Sequence, residues 1–265
     1  MTLFYADASV TLWHGDMREV IPAHVDTVDL VVADPPYGAT SMAWDRWPQG
    51  WLDTARRAST SLWCFGSLRA FMGHAHDFAA AGWKLSQDVI GHDPDGQPVY
   101  GDLQVLWHKH NGSGFHRDRF RRVHEWVSHW YAGAWGDTHH ETPTTPDATA
   151  RVVRRKQRPP HMGHIDGSAY ESHDGGPRLM RSVITVPSTH GTAIHPTQKP
   201  VGLLDPLIRY ACPPGGTVLD PFAGSGSTGI AARLAGRNAI LIEADERYCE
   251  AAANLLQHDL LAGLA

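Results

Sequence analysis

The run "TVLDPFAGSGSTGIAARLAGRNAILIEAD", residues 217–245, decides the fold. It opens on a short apolar segment, turns through glycines, continues with helical periodicity and closes on a second apolar run ending in acid. Gly224, Gly226 and Gly229 spell G-x-G-x-x-G, and Glu243 follows nineteen residues after Gly224. Such spacing describes a strand, a tight turn, a helix and a second strand whose acid accepts hydrogen bonds from ribose hydroxyls. Glycines let the backbone approach a ligand closely, and the helix N-terminus behind them favours a negative group. An amino-acid carboxylate would serve there as well as a phosphate. The motif alone therefore points to a nucleoside-containing cofactor and leaves NAD and S-adenosylmethionine both open; a tight βα turn without ligand is the plain alternative.

Outward from this unit, strand-like runs read at 10–15, 28–34, 61–67, 83–91, 124–132, 216–222 and 238–244. Several are almost wholly apolar, as strands covered on both faces must be. Helical patterns lie between them at 48–59, at 67–81 with Ser67 as N-cap, and at 200–211, 226–236 and 245–262. Alternation of this kind predicts an α/β fold with a doubly wound, mostly parallel sheet. Residues 136–181 break the rhythm with "ETPTTPD", "RPPHMGH" and "SHDGGPR", and read as an irregular insertion with little regular structure.

The chain has 265 residues and 29.1 kDa, which fits one large domain carrying a subdomain, and its 42% apolar content suffices for a core. The N-terminus lacks the basic leader and apolar run of a secretory signal, and no run approaches the roughly 20 apolar residues of a membrane span. Cys64, Cys212 and Cys249 are far apart and form no C-x-x-C pair, so a reduced, cytoplasmic protein is expected. The net charge of −5 is unevenly spread: residues 105–185 hold twelve Lys and Arg against eight Asp and Glu, a local +4 that leaves −9 elsewhere. Arg117, Arg119, Arg121 and Arg122 form one basic cluster, and Arg154, Arg155 and Lys156 lie in a second at 151–158. A basic middle inside an acidic whole suits an anionic polymer bound at one face, and is also what a solvated surface looks like.

A second stretch carries its own chemistry. "TVDLVVADPPYGAT" (27–40) stops an apolar run at Asp34-Pro35-Pro36-Tyr37. The prolines fix φ, donate no hydrogen bond, and present carbonyl oxygens beside an acid and an aromatic ring. That set suits a planar exocyclic amine, a poor nucleophile because its lone pair is delocalised. Asp34 and the Pro35 carbonyl accepting its two N–H groups would free the lone pair, and Asp34 can take the released proton. Tyr37 offers a stacking face for an extruded base. Trp44 and Trp47, just downstream, read equally well as pocket wall or as packing. Near the glycine unit, "HPTQKP" (195–200) is a polar, proline-braced loop of the sort that walls a ligand.

With these motifs together, the chain resembles the β-class amino-group DNA methyltransferases, in which "DPPY" precedes the glycine loop. The resemblance rests on "GD" (15–16), "DPPYG" (34–38), "CFGS" (64–67), "WHKHNGSG" (107–114) with "HE" (124–125), "HPTQKP" (195–200), "LDPFAGSGSTG" (219–229) and "IEADERYCE" (242–250). It covers about 1–135 and 182–265 as a Rossmann-like catalytic domain, and leaves 136–181 in the slot of a target-recognition region. Segment 91–106 departs from the usual pattern. The resemblance implies S-adenosylmethionine as cofactor, held by Phe222, Gly224, Ser225, Gly226 and the Thr197, Gln198, Lys199 loop, with Asp220 and Thr228 in the same group. It places Glu243 on the ribose, Asp16 near the cofactor adenine, and Asp34, Pro35, Pro36 and Tyr37 on the flipped base of double-stranded DNA. An Asp-led tetrapeptide implies adenine N6; cytosine N4, RNA or a protein amide remain alternatives, as do an NAD oxidoreductase and a DNA-binding module without catalysis. The basic run 151–158 is the candidate for phosphate contacts. Such enzymes are bacterial or phage-encoded and associate with the nucleoid; a homodimer and a paired restriction endonuclease are left open.

Eighteen histidines invite a metal site, but "HEWVSH" (124–129) spaces its histidines five apart, one too many for H-E-x-x-H, and no metal is expected. Cys64 sits in an apolar strand and reads as a buried small hydrophobe rather than a nucleophile.

Overall fold

The computed structural model describes residues 1–38, 42, 44–92, 98–102, 104–113, 118, 120, 122–154, 169–187 and 198–262. Its first half runs β1 (Thr2–Ala6), β2 (Val10–His14), α1 (Met17–His24), β3 (Leu30–Ala33), α2 (Trp51–Ala58), β4 (Ser61–Gly66), α3 (Leu68–Ala80), β5 (Lys84–Leu85), β6 (Gln87–His92), β7 (Pro98–Asp102), β8 (Gln104–Ser113) and β9 (Arg122–Tyr131). The second half continues with β10 (Thr144–Thr145), β11 (Arg151–Arg154), β12 (Ala169–Ser172), β13 (Arg178–Leu179), β14 (Val183–Thr185), α4 (Val201–Ala211), β15 (Thr217–Asp220), α5 (Ser227–Leu234), β16 (Asn238–Glu243) and α6 (Glu246–Ala262).

Among the described residues the main sheet follows the order β1-β2-β16-β15-β3-β4-β9-β8-β14, with β5 also paired to β9. The five central strands, β2 to β4 in that order, are mutually parallel, while β1 and β9 run antiparallel to their neighbours. From β15 the chain moves to β16 on one side, and from β3 to β4 on the other. The sheet therefore reverses direction between β15 and β3, the place where open α/β sheets form a crevice at their strand carboxyl ends.

Alternation along the strands feeds two cores. Leu30, Val32, Trp63, Phe65, Val218 and Leu241 face α4, α5 and α6. Val31, Ala33, Leu62, Cys64, Leu219 and Ile242 face α1, α2 and α3. Helices on both faces of a largely parallel sheet are the doubly wound architecture the sequence predicts. Ser67 caps α3 as expected, its hydroxyl accepting the Ala70 N–H at 3.1 Å.

Three expectations need correction. The single strand read over 83–91 divides at Ser86: Lys84–Leu85 pairs with β9, whereas Gln87–His92 leaves the main sheet to pair with β7. The described part of segment 136–181 is more regular than expected, because β10 pairs with β13 and β11 with β12 before β14 returns to the main sheet beside β8. Its strands are two to four residues long, too short to show a period against the Pro and Gly around them. The third is α1, absent from the sequence reading; it is an eight-residue helix with Pro22 inside it, capped by Asp16. Among the described residues no helix is long and apolar enough to cross a membrane, and the three cysteines are free and buried.

The core beneath α3 is aromatic. Phe78, fully buried, stacks on Trp130 at 4.0 Å and meets Trp51 edge-on at 6.4 Å. Phe78→Ala should lower unfolding stability by about 3–5 kcal/mol in urea titrations, because the rigid rings around it close poorly over the space left.

Candidate active site

The strand β3 ends at buried Ala33, and the next four residues, Asp34 to Tyr37, lie at the crevice. Prolines at 35 and 36 prevent the strand from continuing its ladder. Gly38, at φ 71°, turns the chain, and its N–H donates to Asp45 Oδ1 at 2.8 Å, which pins the loop. A non-glycine residue there would have to adopt a left-handed backbone.

Behind this corner stands a set of four charged side chains. Lys199 Nζ pairs with Asp34 Oδ2 and lies 3.5 Å from Glu125 Oε1. Lys109 Nζ is 2.7 Å from Glu125 Oε2, and the Tyr37 hydroxyl donates to Glu125 Oε1 at 2.9 Å. Asp34 Oδ1 is buried with no hydrogen-bond partner among the described residues. Burial raises the Asp34 pKa above the ordinary carboxylate value and Glu125 adds to this, while Lys199 and Lys109 oppose. For Glu125 burial also pushes upward, but the two lysines win and hold it down to about 2. Burial opposes the Lys199 charge, and the two carboxylates outweigh it to raise that pKa.

The glycine corner is built from the ends of β15 and β16. Gly224 and Gly226 have φ of 51° and 78°, which the turn requires, and a Cβ on Gly226 would come 3.1 Å from Ala252 Cβ. Glu243 braces the loop: Oε2 accepts the Gly224 N–H at 2.8 Å and Oε1 accepts the Asp245 N–H at 2.8 Å. Each oxygen retains a lone pair for a ligand hydroxyl. Asp220 Oδ1 accepts from Phe222 N–H at 3.0 Å, and Oδ2 accepts from the Thr228 hydroxyl at 2.5 Å. Burial raises Asp220 to about 7.

The two corners face each other. One cavity of about 780 Å³ is lined by Asp34–Tyr37 on one side and by Phe222, Gly224 and Glu243 on the other, with Asp16 at its far wall. Trp44 and Trp47 line it too, and Trp47 also stacks on His74 at 3.9 Å, so wall and packing are both served. A small cavity of about 30 Å³ joins Asp34 to Gln198, Lys199, Asp220, Ser225 and Thr228. Another, of about 730 Å³, lies beyond Tyr37 and holds Arg69, His74, Lys109, His124 and Glu125.

The sequence-predicted residues thus gather at one edge of the sheet, with differences of detail. Asp16 caps α1 and is bound by Arg18 on both oxygens while lining the cavity. Lys199, expected on the cofactor wall, directs its ammonium to Asp34 and Glu125. Asp220 and Thr228 bond to each other and shape the loop. Gly226 is absent from the cavity linings and serves as N-cap of α5. Of the basic residues, Arg117, Arg119, Arg121, Arg155 and Lys156 lie outside the described residues, as does Thr197. Arg122 opens β9 opposite Ser113, and Arg154 ends β11 opposite Ala169. The sequence reading missed Glu125 and Lys109 as site residues. "WHK" and "HE" were visible as motifs, but only the pairing of β8 with β9 brings the two together at this edge. Among the described residues no group of three His, Cys, Asp or Glu gathers as a metal site would require.

A glycine turn and an Asp-Pro-Pro-Tyr corner facing each other across one cavity of a doubly wound sheet are the arrangement of an amino-group methyltransferase. The model of the DNA methylase family of N6 and N4 methyltransferases matches residues 28–254, and the chain belongs to that family. It is 24% identical to the type II methyltransferase M.ScaI of Streptomyces caespitosus, across 96% of this chain and 83% of that protein. Its fold is similar to the M1.HpyAVI–SAM complex, with a TM-score of 0.59 at 20% identity over 93% of this chain and 99% of that one. It is likewise similar to the cytosine-N4-specific PvuII DNA methyltransferase, with a TM-score of 0.63 at 13% identity over 95% and 87% of the two chains.

The Asp220 environment gives a test of the loop. Its folded-state pKa of about 7 lies above the unfolded value, so the folded state holds a proton that the unfolded state has already lost. This contribution is present at low pH and is lost as pH rises towards 7. Asp220→Asn keeps an acceptor for Phe222 N–H and a partner for Thr228, and should flatten the fall in melting temperature between about pH 4 and 7. Thermal melts across that range check it; an unchanged slope would place Asp220 in a more solvated setting.

Proposed function

We propose that this chain transfers the methyl group of S-adenosylmethionine to the N6 amine of adenine in double-stranded DNA, on a base turned out of the helix. The observation that carries the reading is the buried, unpartnered Asp34 Oδ1, beside Tyr37, on the wall shared with the glycine corner. The cavity suits the cofactor: Glu243 retains lone pairs for ribose hydroxyls, and Asp16, lining the same cavity, is the candidate neighbour of the cofactor adenine. The likeness to the M1.HpyAVI–SAM complex supports that donor. When bound, S-adenosylmethionine supplies a methyl group on a positively charged sulfur.

The chain's own residues do the rest. Tyr37 gives a face for stacking worth roughly 1–3 kcal/mol, which offsets much of the few kcal/mol that unstacking a base costs. Asp34 Oδ1 accepts an N–H of the exocyclic amine, and the Pro35 carbonyl is the candidate acceptor for the other. Holding both N–H bonds orients the lone pair, so most of the rate comes from placement and local electrostatics. Asp34 then takes the proton that the nitrogen sheds, and its raised pKa makes it a better base than a free carboxylate. The Asp at the head of the tetrapeptide favours adenine, while the likeness to cytosine-N4-specific PvuII makes cytosine N4 the second reading. Segment 136–181, with the basic run 151–158, is the proposed target-recognition region, and the type II relative supports a restriction–modification role.

Asp34→Ala should reduce methyl transfer by roughly 10²–10⁴-fold while leaving S-adenosylhomocysteine binding intact by calorimetry. Mass analysis of nucleosides from DNA methylated by the wild-type enzyme should show N6-methyldeoxyadenosine. N4-methyldeoxycytidine would move the reading to cytosine, and undiminished transfer by the Asp34 variant would remove Asp34 from the chemistry.

A further inference from the structure

Tyr37 and Asp34 do not stand by themselves. Glu125 belongs to β9, whose antiparallel course beside β4 sets Trp126 opposite Gly66, so the start of β9 reaches the edge where the parallel strands end. There its carboxylate is buried and meets three donors from three separate segments: the Tyr37 hydroxyl at 2.9 Å, Lys109 at 2.7 Å and Lys199 at 3.5 Å. Tyr37 lines both large cavities, whereas Glu125 and Lys109 line only the one beyond it. Glu125 is thus anchored behind the ring on which a base would stack.

We infer that Glu125 is a positioning residue of the methyl transfer: it fixes the Tyr37 ring and shares the Lys199 ammonium with Asp34, so that one Asp34 oxygen stays open to the substrate amine. The inference rests on the proposed function and adds a residue to it. The set brings two lysines together with two carboxyl groups. Without the Glu125 charge, one of the two carboxylates that hold Lys199 is gone, so the ammonium turns towards Asp34 and competes for Oδ1, and Lys109 loses its ion pair with Glu125. The groups facing Asp34 are Lys199 from the loop before α4, Glu125 from β9, Lys109 from β8, the Cys64 thiol from β4 and Asp220 from β15. Of these, Glu125 is a like charge whose removal shifts the balance towards the ionised form of Asp34.

The test is Glu125→Gln in the full chain, which keeps an acceptor for Tyr37 and removes the charge. The Asp34 carboxyl is followed by carbon NMR of aspartate-labelled protein with S-adenosylhomocysteine bound, assigned through Asp34→Asn. We expect the Asp34 titration to move to lower pH, kcat to fall on the order of 10- to 100-fold, and S-adenosylhomocysteine affinity to stay as in the wild type. Glu125→Asp should restore part of kcat, which separates charge from packing. An unmoved Asp34 titration overturns the inference, and so does a wild-type kcat in the Gln variant. Should the wild-type enzyme methylate no adenine, the functional reading fails while the Asp34 titration alone still decides the role of Glu125.

Discussion

Asp34, Glu125, Lys109 and Lys199 form one largely buried set of opposite charges. Removing an ion from water costs several kcal/mol even after relaxation, and the mutual attraction of a buried set restores this only with good geometry. Here the geometry is supplied by long-range structure: Asp34 from β3, Glu125 from β9, Lys109 from β8 and Lys199 from the approach to α4. Replacing buried ion pairs by apolar side chains of similar volume is often neutral or stabilising. The persistence of charge at this point is therefore better explained by the chemistry it faces than by stability, and it agrees with the general clustering of perturbed carboxylates at functional sites.

The sheet order makes that meeting possible. Because β15 and β3 are neighbours whose outgoing connections diverge, their carboxyl ends leave an uncovered gap between α5 on one face and α2 on the other. The glycine turn at 224–226 enters that gap from one side and the Asp-Pro-Pro-Tyr corner from the other, although nearly two hundred residues separate them in the chain. The Glu243 side chain then ties the glycine turn to the end of β16, so the floor of the crevice is held by hydrogen bonds from within.

Local chemistry explains what the sequence made legible. Gly224, Gly226 and Glu243 follow from the needs of one βαβ unit, and Asp34 to Tyr37 from the fixed φ of two prolines at a strand end. Both signals are short-range, and the two corners meet at one edge of the sheet. The Glu125–Tyr37 contact joins residues 88 apart and depends on the antiparallel register of β9, which no periodicity in "HEWVSHWYA" encodes. Helix α1 was obscured by Pro22 within eight residues, and the paired strands of 144–179 by their shortness. Lys199 was visible as part of a ligand-wall loop, but its partner was not, because an ammonium on a flexible stem chooses its carboxylate only after the chain has folded.

In the proposed reaction the charge balance also bears on how the pocket would accept its substrate. A nucleobase amine is neutral, so it can approach Asp34 Oδ1 without displacing Lys199 from Oδ2, and no ion pair need be broken on entry. As its lone pair is engaged the nitrogen gains positive character, and the nearest fixed charge with an open lone pair is the Asp34 carboxylate. Lys199 pairs with that carboxylate and also reaches Glu125, so in the proposed reaction the basicity at the reacting edge would be set by three side chains rather than by Asp34 alone. Burial raises the Asp34 pKa and the Lys199 ammonium opposes that rise, so in the proposed reaction the strength of the base is set by both.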